Sequence, residues 1–230
     1  VTASVLSAEE VEEVFDCDMY ATGIQPVWVR IVNNGDETFW FVPSRMDPDY
    51  FSAFEAGWKN HSSFSGAFDR GLDAFCFKNA LGYYVGPKQT ISGFVFTNLD
   101  MGSKAVFVDL IAEKDAKCVS FTFIQLVPGL ESQYRLVDFD TLYPKDALVD
   151  CDLKALRKRL LELPPCVTSK DGSVNGDPMN LVMIGTLEDL LRAFKIAGWD
   201  EVETLSGGSI LRTVDAFLFG VKYRYSPMSP

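Results

Sequence analysis

Residues 27–32 (VWVRIV) and 38–42 (TFWFV) decide how the first half of this chain is read. Both are rich in β-branched and aromatic side chains, the composition of strands. In the first, Trp28, Arg30 and Val32 share one face and Val27, Val29 and Ile31 the other. Asn34-Gly35 lies between the two stretches, and because both residues tolerate positive φ, the pair predicts a hairpin. Three more strands are predicted at 90–97 (TISGFVFT), 104–111 (KAVFVDLI) and 118–126 (CVSFTFIQL). Polar turns at 98–102 and 113–116 separate them, so they read as an antiparallel meander. Five such strands at short spacing predict an immunoglobulin-like β-sandwich.

Between the two sets lies an aromatic-rich stretch, residues 47–86, too long for an ordinary connection and therefore a candidate functional insertion. DPDYFSAFEAGW within it predicts a short helix capped by Asp47 or Asp49. Its Tyr50, Phe51, Phe54 and Trp58 either cap an open end of the sandwich or form a contact surface.

The period changes after residue 150. Leu153, Leu156, Leu160 and Leu163 recur at three and four, predicting an amphipathic helix over 152–163 that Pro164-Pro165 ends. A continuous apolar run at 179–184 predicts a buried strand, with Asn180 hydrogen-bonded inside it. Thr186 and Asp189 have capping-box spacing, Leu187, Leu190, Leu191, Phe194 and Ala197 form the inner face of a helix, and Gly198 stops it. A third helix is predicted over 209–219. The fold class is therefore α+β: a β-sandwich domain over 1–143 with an aromatic-rich, partly helical insertion, then a small α/β domain over 144–230.

The 230 residues are long enough to bury roughly 70–75 % of the unfolded chain's surface, so no metal or disulfide is needed to make a core. Acids outnumber bases 32 to 21, and the formal charge of −11 disfavours nucleic acid and anionic lipid as partners. No apolar run approaches the ~20 residues that span a bilayer. The opening VTASVLSAEEVEE has neither an initiator Met nor a leader, as expected of a trimmed or processed chain. The five cysteines contain no CxxC pair and read mainly as small buried side chains. A helix over 152–163 at about 1.5 Å per residue would hold Cys151 and Cys166 well beyond bridging distance, so these two are predicted not to bond to each other.

Nucleophile-elbow, phosphate-loop, dinucleotide, HExxH and EF-hand signatures are all absent. The single histidine, His61, cannot build a two-His metal site, and its KNHSSFSG setting reads as an exposed loop. Asn60-His61-Ser62 fits the glycosylation triplet, which matters only in a eukaryotic secretory route. Lys154, Arg157, Lys158 and Arg159 form either a solvated helix face or a dock for an acidic group. The segment TSKDGSVNGDPMNLVMIG, residues 168–185, is the most site-like: Asp177 and Asn180 pin the loop or, with nearby carbonyls, offer oxygens to a hard cation. No catalytic residue, metal site or cofactor is assigned.

GDPMNLVMIG, LEDLLRAFKIAGWD and SILRTVDAFLFGVKYRYSPMSP, in that order, resemble the LssY-type C-terminal domain of bacterial envelope proteins over about 148–230. GIQPVWVRIVN, DPDYFS and SGFVFTNLDMGSK resemble the companion region of proteins that end in this domain. Members of the family usually continue past the final Ser-Pro into another apolar strand, so a chain ending at Pro230 implies a cut end or an absent closing strand.

The resemblance implies a Gram-negative envelope protein, periplasmic or held at the outer membrane by an N-terminal lipid anchor that is not part of this chain. It supplies no reaction. Together with the missing catalytic motifs it points to a non-catalytic module acting by protein–protein contact in a larger assembly. The binding residues expected for that role are Tyr50, Phe51, Phe54, Trp58, Arg157, Arg159, Asp177 and Asn180. Two alternatives stand beside it: a hydrolase using Asp47, Asp49, Asp171 and Asp177, and a lipid- or solute-binding protein closed by the aromatic insertion.

Overall fold

The computed structural model describes residues 1–62, 65–130, 141, 144–169 and 171–200. The chain is mixed α+β and divides into two units, Val1–Gln133 with Lys195–Pro230, and Tyr134–Phe194.

The first unit runs β1 (Thr2–Val5), α1 (Ala8–Phe15), β2 (Ile24–Val32), β3 (Phe39–Phe41), α2 (Pro43–Met46), α3 (Ala53–Lys59), α4 (Gly66–Asn79), β4 (Tyr84–Val85), β5 (Thr90–Asn98), β6 (Ser103–Ala112) and β7 (Cys118–Leu126). Its strands form two antiparallel sheets, β1-β2-β5 and β4-β3-β6-β7. The faces of β2 divide as the alternation predicts, and the Val27, Val29 and Ile31 face is the buried one, with Arg30 and Val32 exposed on the other side. These side chains share one core with Val95 of β5, Val106, Val108 and Leu110 of β6, Phe41 of β3 and Val85 of β4. Pro26 has no N–H, and it sits just past the point where β1 stops pairing, Val5 opposite Val27, so that ladder loses no bond. Gln125 on β7 ties the sheets together at one edge: its amide accepts from Val5 N at 3.0 Å and donates to Ala3 O.

Two sequence expectations about pairing are corrected. Asn34-Gly35 does not close a hairpin, since β2 pairs with β1 and β5 while β3 pairs with β4 and β6. Neither residue has positive φ. The buried Asn33 amide instead donates to the carbonyls of Glu37 and Gly86 at 2.7 and 2.8 Å and accepts from Gly35 N at 2.9 Å, holding a loop that crosses between sheets. The three-strand meander is likewise absent: β5 completes nine pairs with β2, and only β6 and β7 form the expected hairpin. Between β5 and β6, Leu99 N donates to Gly23 O at 3.0 Å, and Gly102 adopts φ +74°, turning the chain into the second sheet.

The insertion hangs from β5 by both ends. Phe51 N donates to Phe96 O at 2.8 Å before α3, and Leu81 N donates to Phe94 O at 2.9 Å after α4. Backbone groups that an edge strand would leave open are thereby paired within the chain. Gly93 permits the second contact, because a Cβ there would lie 2.7 Å from Leu81 N and 2.8 Å from Ala80 O. The cap of α3 is also corrected: it is Ser52, in a capping box with Glu55, and not an aspartate. Asp47 is engaged elsewhere, accepting from Asn98 N at 2.6 Å, Asn98 Nδ2 at 3.0 Å and Asp49 N at 3.0 Å, which fixes the approach to α3 at the end of β5.

In the second unit a 3-10 turn (Lys145–Ala147) precedes α5 (Leu153–Leu161), capped by Asp152. Cys151 and Cys166 lie beyond the two ends of α5, and all five cysteines are free thiols. β8 (Cys166–Thr168) and β9 (Asn175–Pro178) pair antiparallel. The strand predicted at 179–184 is therefore displaced: pairing stops at Pro178 and Met179 N, which reaches Pro165 O at 2.8 Å, and the apolar run beyond is exposed. The turn between β8 and β9 is built on Asp171, whose carboxylate accepts from the Ser169 hydroxyl at 2.6 Å and the Ser173 hydroxyl at 2.8 Å.

α6 (Leu187–Ile196) runs across the division between units, starting where the Thr186 hydroxyl accepts from Asp189 N at 3.1 Å. Gly198 beyond it has φ +83°, the left-handed stop expected from sequence. The helix predicted at 209–219 and the residues at the predicted boundary, 142–143, lie outside the described residues.

Gly93→Ala should lower the stability of the first unit by about 1–3 kcal/mol, because backbone must move to admit the methyl group. An unchanged midpoint in chemical denaturation would contradict the pinning of the insertion on β5. Hydrogen bonds from Ser169 and Ser173 hold the Asp171 carboxyl down at about 2. A depressed carboxyl stabilises above its ordinary value near 4 and loses that contribution as pH falls through its folded value. NMR titration of Asp171 should accordingly give a midpoint near 2. Titration at the ordinary aspartate value would mean that the turn is open.

Candidate functional site

The aromatic side chains of the insertion meet on the α3–α4 pair. The two helices touch at a point where only glycine fits: a Cβ on Gly57 would lie 3.2 Å from the Cα of Asp73 and 2.4 Å from its Oδ1. That approach puts Asp73 beside the residues following α3, and its Oδ1 pairs with His61 Nε2 at 2.9 Å. His61 is therefore not a free loop side chain, as the sequence suggested, but a half-buried ring tied to α4. Its ring lies 5.0 Å from that of Trp58. The end of α3 is fixed further by Thr22 Oγ1, which donates to Asn60 Oδ1 at 3.0 Å, by Asn60 Nδ2, which donates to Ala56 O at 2.9 Å, and by Ser62 N, which donates to Asp69 Oδ1 at 2.8 Å.

On this support sits an open groove of about 490 Å³ lined by Phe51, Phe54, Glu55, Trp58, Lys59 and Asp73. Trp58 is 73 % exposed, Phe54 61 % and Phe77 63 %, the last stacked on Phe54 with ring centroids 5.2 Å apart. Lys59 Nζ lies 4.5 Å above the Phe51 ring, in cation–π range. Backbone and hydroxyl hydrogen bonds at the Ser52 cap lower the pKa of Glu55, which keeps that rim carboxylate charged. The groove thus offers ring faces bounded by two carboxylates and one ammonium, a surface suited to holding a partner by burial and charge.

Of the expected binding residues, Phe51, Phe54 and Trp58 come together here. Tyr50 faces a separate, much smaller crevice with Phe41, Pro43 and Tyr83, where burial and the neighbouring Tyr83 raise its phenol pKa. Arg157 and Arg159 are exposed on α5, and Asp177 and Asn180 are exposed in and after β9. The expectation of a buried Asn180 inside a strand is corrected, since the ladder has already ended at Met179.

Sequence reasoning missed Asp73, His61, Lys59, Glu55 and Phe77 as parts of the surface. Phe77 had a signal: Leu72 and Cys76 recur at four and face the core, so the residue after Cys76 points about 100° away. The His61–Asp73 pair had none, because it depends on a helix crossing. Burial raises the thiols of Cys17 to about 11 and Cys76 to about 12, so both stay protonated near neutral pH. Among the described residues, no group of three or more His, Cys, Asp or Glu could hold a metal ion, and no helix is long and apolar enough to cross a membrane.

Gly57→Ala should force the Asp73 carboxylate off His61 and cost about 1–3 kcal/mol of stability. As the chain has one histidine, its imidazole gives one unambiguous set of ring resonances that should shift in the variant. An imidazole signal identical in both proteins would rule out the Gly57–Asp73–His61 arrangement.

Comparison with curated proteins and with solved structures returned no match. The family model described as LssY C-terminus does match, over residues 158–230, the stretch carrying the GDPMNLVMIG, AGWD and YSPMSP motifs. The chain therefore carries an LssY-type C-terminal domain.

Proposed function

We propose that this chain is a non-catalytic module of the bacterial cell envelope that works by protein–protein contact, with the α3–α4 face as its docking surface. The observation that carries this reading is the exposure of Phe54, Trp58 and Phe77 around one groove on an element pinned at both ends. Large aromatic side chains gathered at the surface and rimmed by charge are the usual anchors of a protein interface. A pinned element also loses little conformational freedom on binding, which favours affinity.

The envelope setting rests on the LssY-type domain and on the resemblance of the first half to its companion region. On that basis the chain works in the periplasm or at the outer membrane of a Gram-negative cell, lipid-anchored through a segment preceding it. The two sheets sharing one core support an immunoglobulin-like sandwich as the first domain, with the small α/β domain following from 144. The contact reading is favoured over an aspartate-based hydrolase by where the acids are engaged. Asp47 is taken up by Asn98 and Asp49, and Asp171 by its two serines. It is favoured over a lipid or solute carrier because the groove is open rather than enclosed.

Purification of the tagged chain from intact membranes should yield a discrete protein partner in fixed ratio. Trp58→Ala and Phe54→Ala should each weaken that association tenfold or more while shifting stability by no more than about 0.5 kcal/mol, since both side chains are exposed. Recovery of the chain alone, or of the same partner with both variants, would contradict the proposal.

A further inference from the structure

The groove's surroundings indicate what kind of partner it takes. Within α4, Asp73 and Phe77 are four residues apart and share the flank that faces α3. Phe75 lies on the other flank and receives Phe15 of α1 edge-on, with ring centroids 5.6 Å apart. The three helices therefore lie in the order α3, α4, α1, and a segment seated in the groove can extend across α4 toward α1.

That helix buries Val11 and Phe15 and turns outward Glu9, Glu10, Glu12 and Glu13. Asp16 and Asp18 follow at its C-terminal end, where the helix dipole adds further negative potential. No basic residue occurs between Ala8 and Asp18. Across α1 and the residues just after it, α3 and α4, nine carboxylates face three cations, Lys59, Arg70 and Lys78. In the groove itself Lys59 already lies over Phe51, leaving the exposed faces of Phe54 and Trp58 beside the carboxylates of Glu55 and Asp73. Exposed aromatic faces beside carboxylates attract guanidinium and ammonium groups through cation–π and ionic contact together.

We infer that the α3–α4 groove receives a basic polypeptide segment of the partner protein, with apolar or arginine anchors on the Phe54–Trp58 faces and further basic residues reaching α1. This inference rests on the docking role proposed above and specifies the chemistry of what docks. The acidic flank raises the encounter rate with such a segment and rejects acidic ones, while the aromatic groove supplies residence time.

The test uses the full chain and two synthetic peptides with identical apolar positions, one carrying Arg and Lys at the remaining positions and the other Glu. In isothermal titration calorimetry the basic peptide should bind at least tenfold more tightly than its acidic twin, and added salt should weaken it. Trp58→Ala should lower its affinity about tenfold. The triple variant Glu9→Lys, Glu12→Lys, Glu13→Lys should remove most of the discrimination, whereas Glu113→Lys with Asp115→Lys, on the β6–β7 turn outside the three helices, should leave it in place. Equal binding of the twins, binding of neither, binding that survives Trp58→Ala, or the same loss from both charge variants would each overturn the inference. Its failure is separable from that of the docking role. A membrane partner lost with Trp58→Ala but contributing an acidic or neutral segment would remove only the basic chemistry, whereas the absence of any such partner would remove both.

Discussion

Everything distinctive about the first unit follows from how the outer edge of β5 is paired. β5 is the last strand of its sheet, and an open edge of that length would invite another chain. Here Phe51 bonds to Phe96 and Leu81 to Phe94, so the start and the end of the helical insertion occupy carbonyls two residues apart on one strand. Gly93 is the local condition for this, since any side chain would collide with the backbone at Ala80 and Leu81. A segment of nearly thirty residues leaves and rejoins the sheet at almost one point, and the two helices between have no choice but to fold against each other.

Within that hairpin the same logic recurs on a smaller scale. Gly57 allows α3 to approach Asp73, Asp73 holds His61, and His61 stands against Trp58. Each contact is modest, yet the series sets the position of a large exposed ring. A single side-chain hydrogen bond contributes only about 0.5–1.5 kcal/mol, so orienting the ring is the effect that matters more. The outcome is a set of exposed aromatic faces in an acidic setting, on which the proposed docking role rests.

The parts of this that were legible in the sequence are those fixed by local periodicity. That Val27, Val29 and Ile31 share one face could be read because a strand alternates, and Gly198 could be assigned to a helix end because of what glycine tolerates. Partner choice was not legible. Asn34-Gly35 carries a strong hairpin signal, but Asn33 finds carbonyl partners at Glu37 and Gly86, and β2 finds longer partners on both sides. The strand expected at 179–184 failed for a similar reason: an apolar run becomes a strand only with a ladder to join, and β8 pairs with the residues before it. At the candidate site, Phe51, Phe54 and Trp58 were readable as an aromatic cluster. Asp73 and His61, twelve residues apart, became partners only through the helix crossing at Gly57.

The proposed docking role stands or falls on whether the α3–α4 face is covered where the protein works. A Lys59→Cys substitution at the groove, in a chain whose Cys118, Cys151 and Cys166 are changed to Ser, reads this directly when labelled with a membrane-impermeant maleimide as the purified chain and in native envelope membranes. Rapid labelling of the purified protein and at least tenfold slower labelling in the membranes is the predicted result. Equal labelling in both would mean that the groove faces solvent throughout, and the docking role would be wrong.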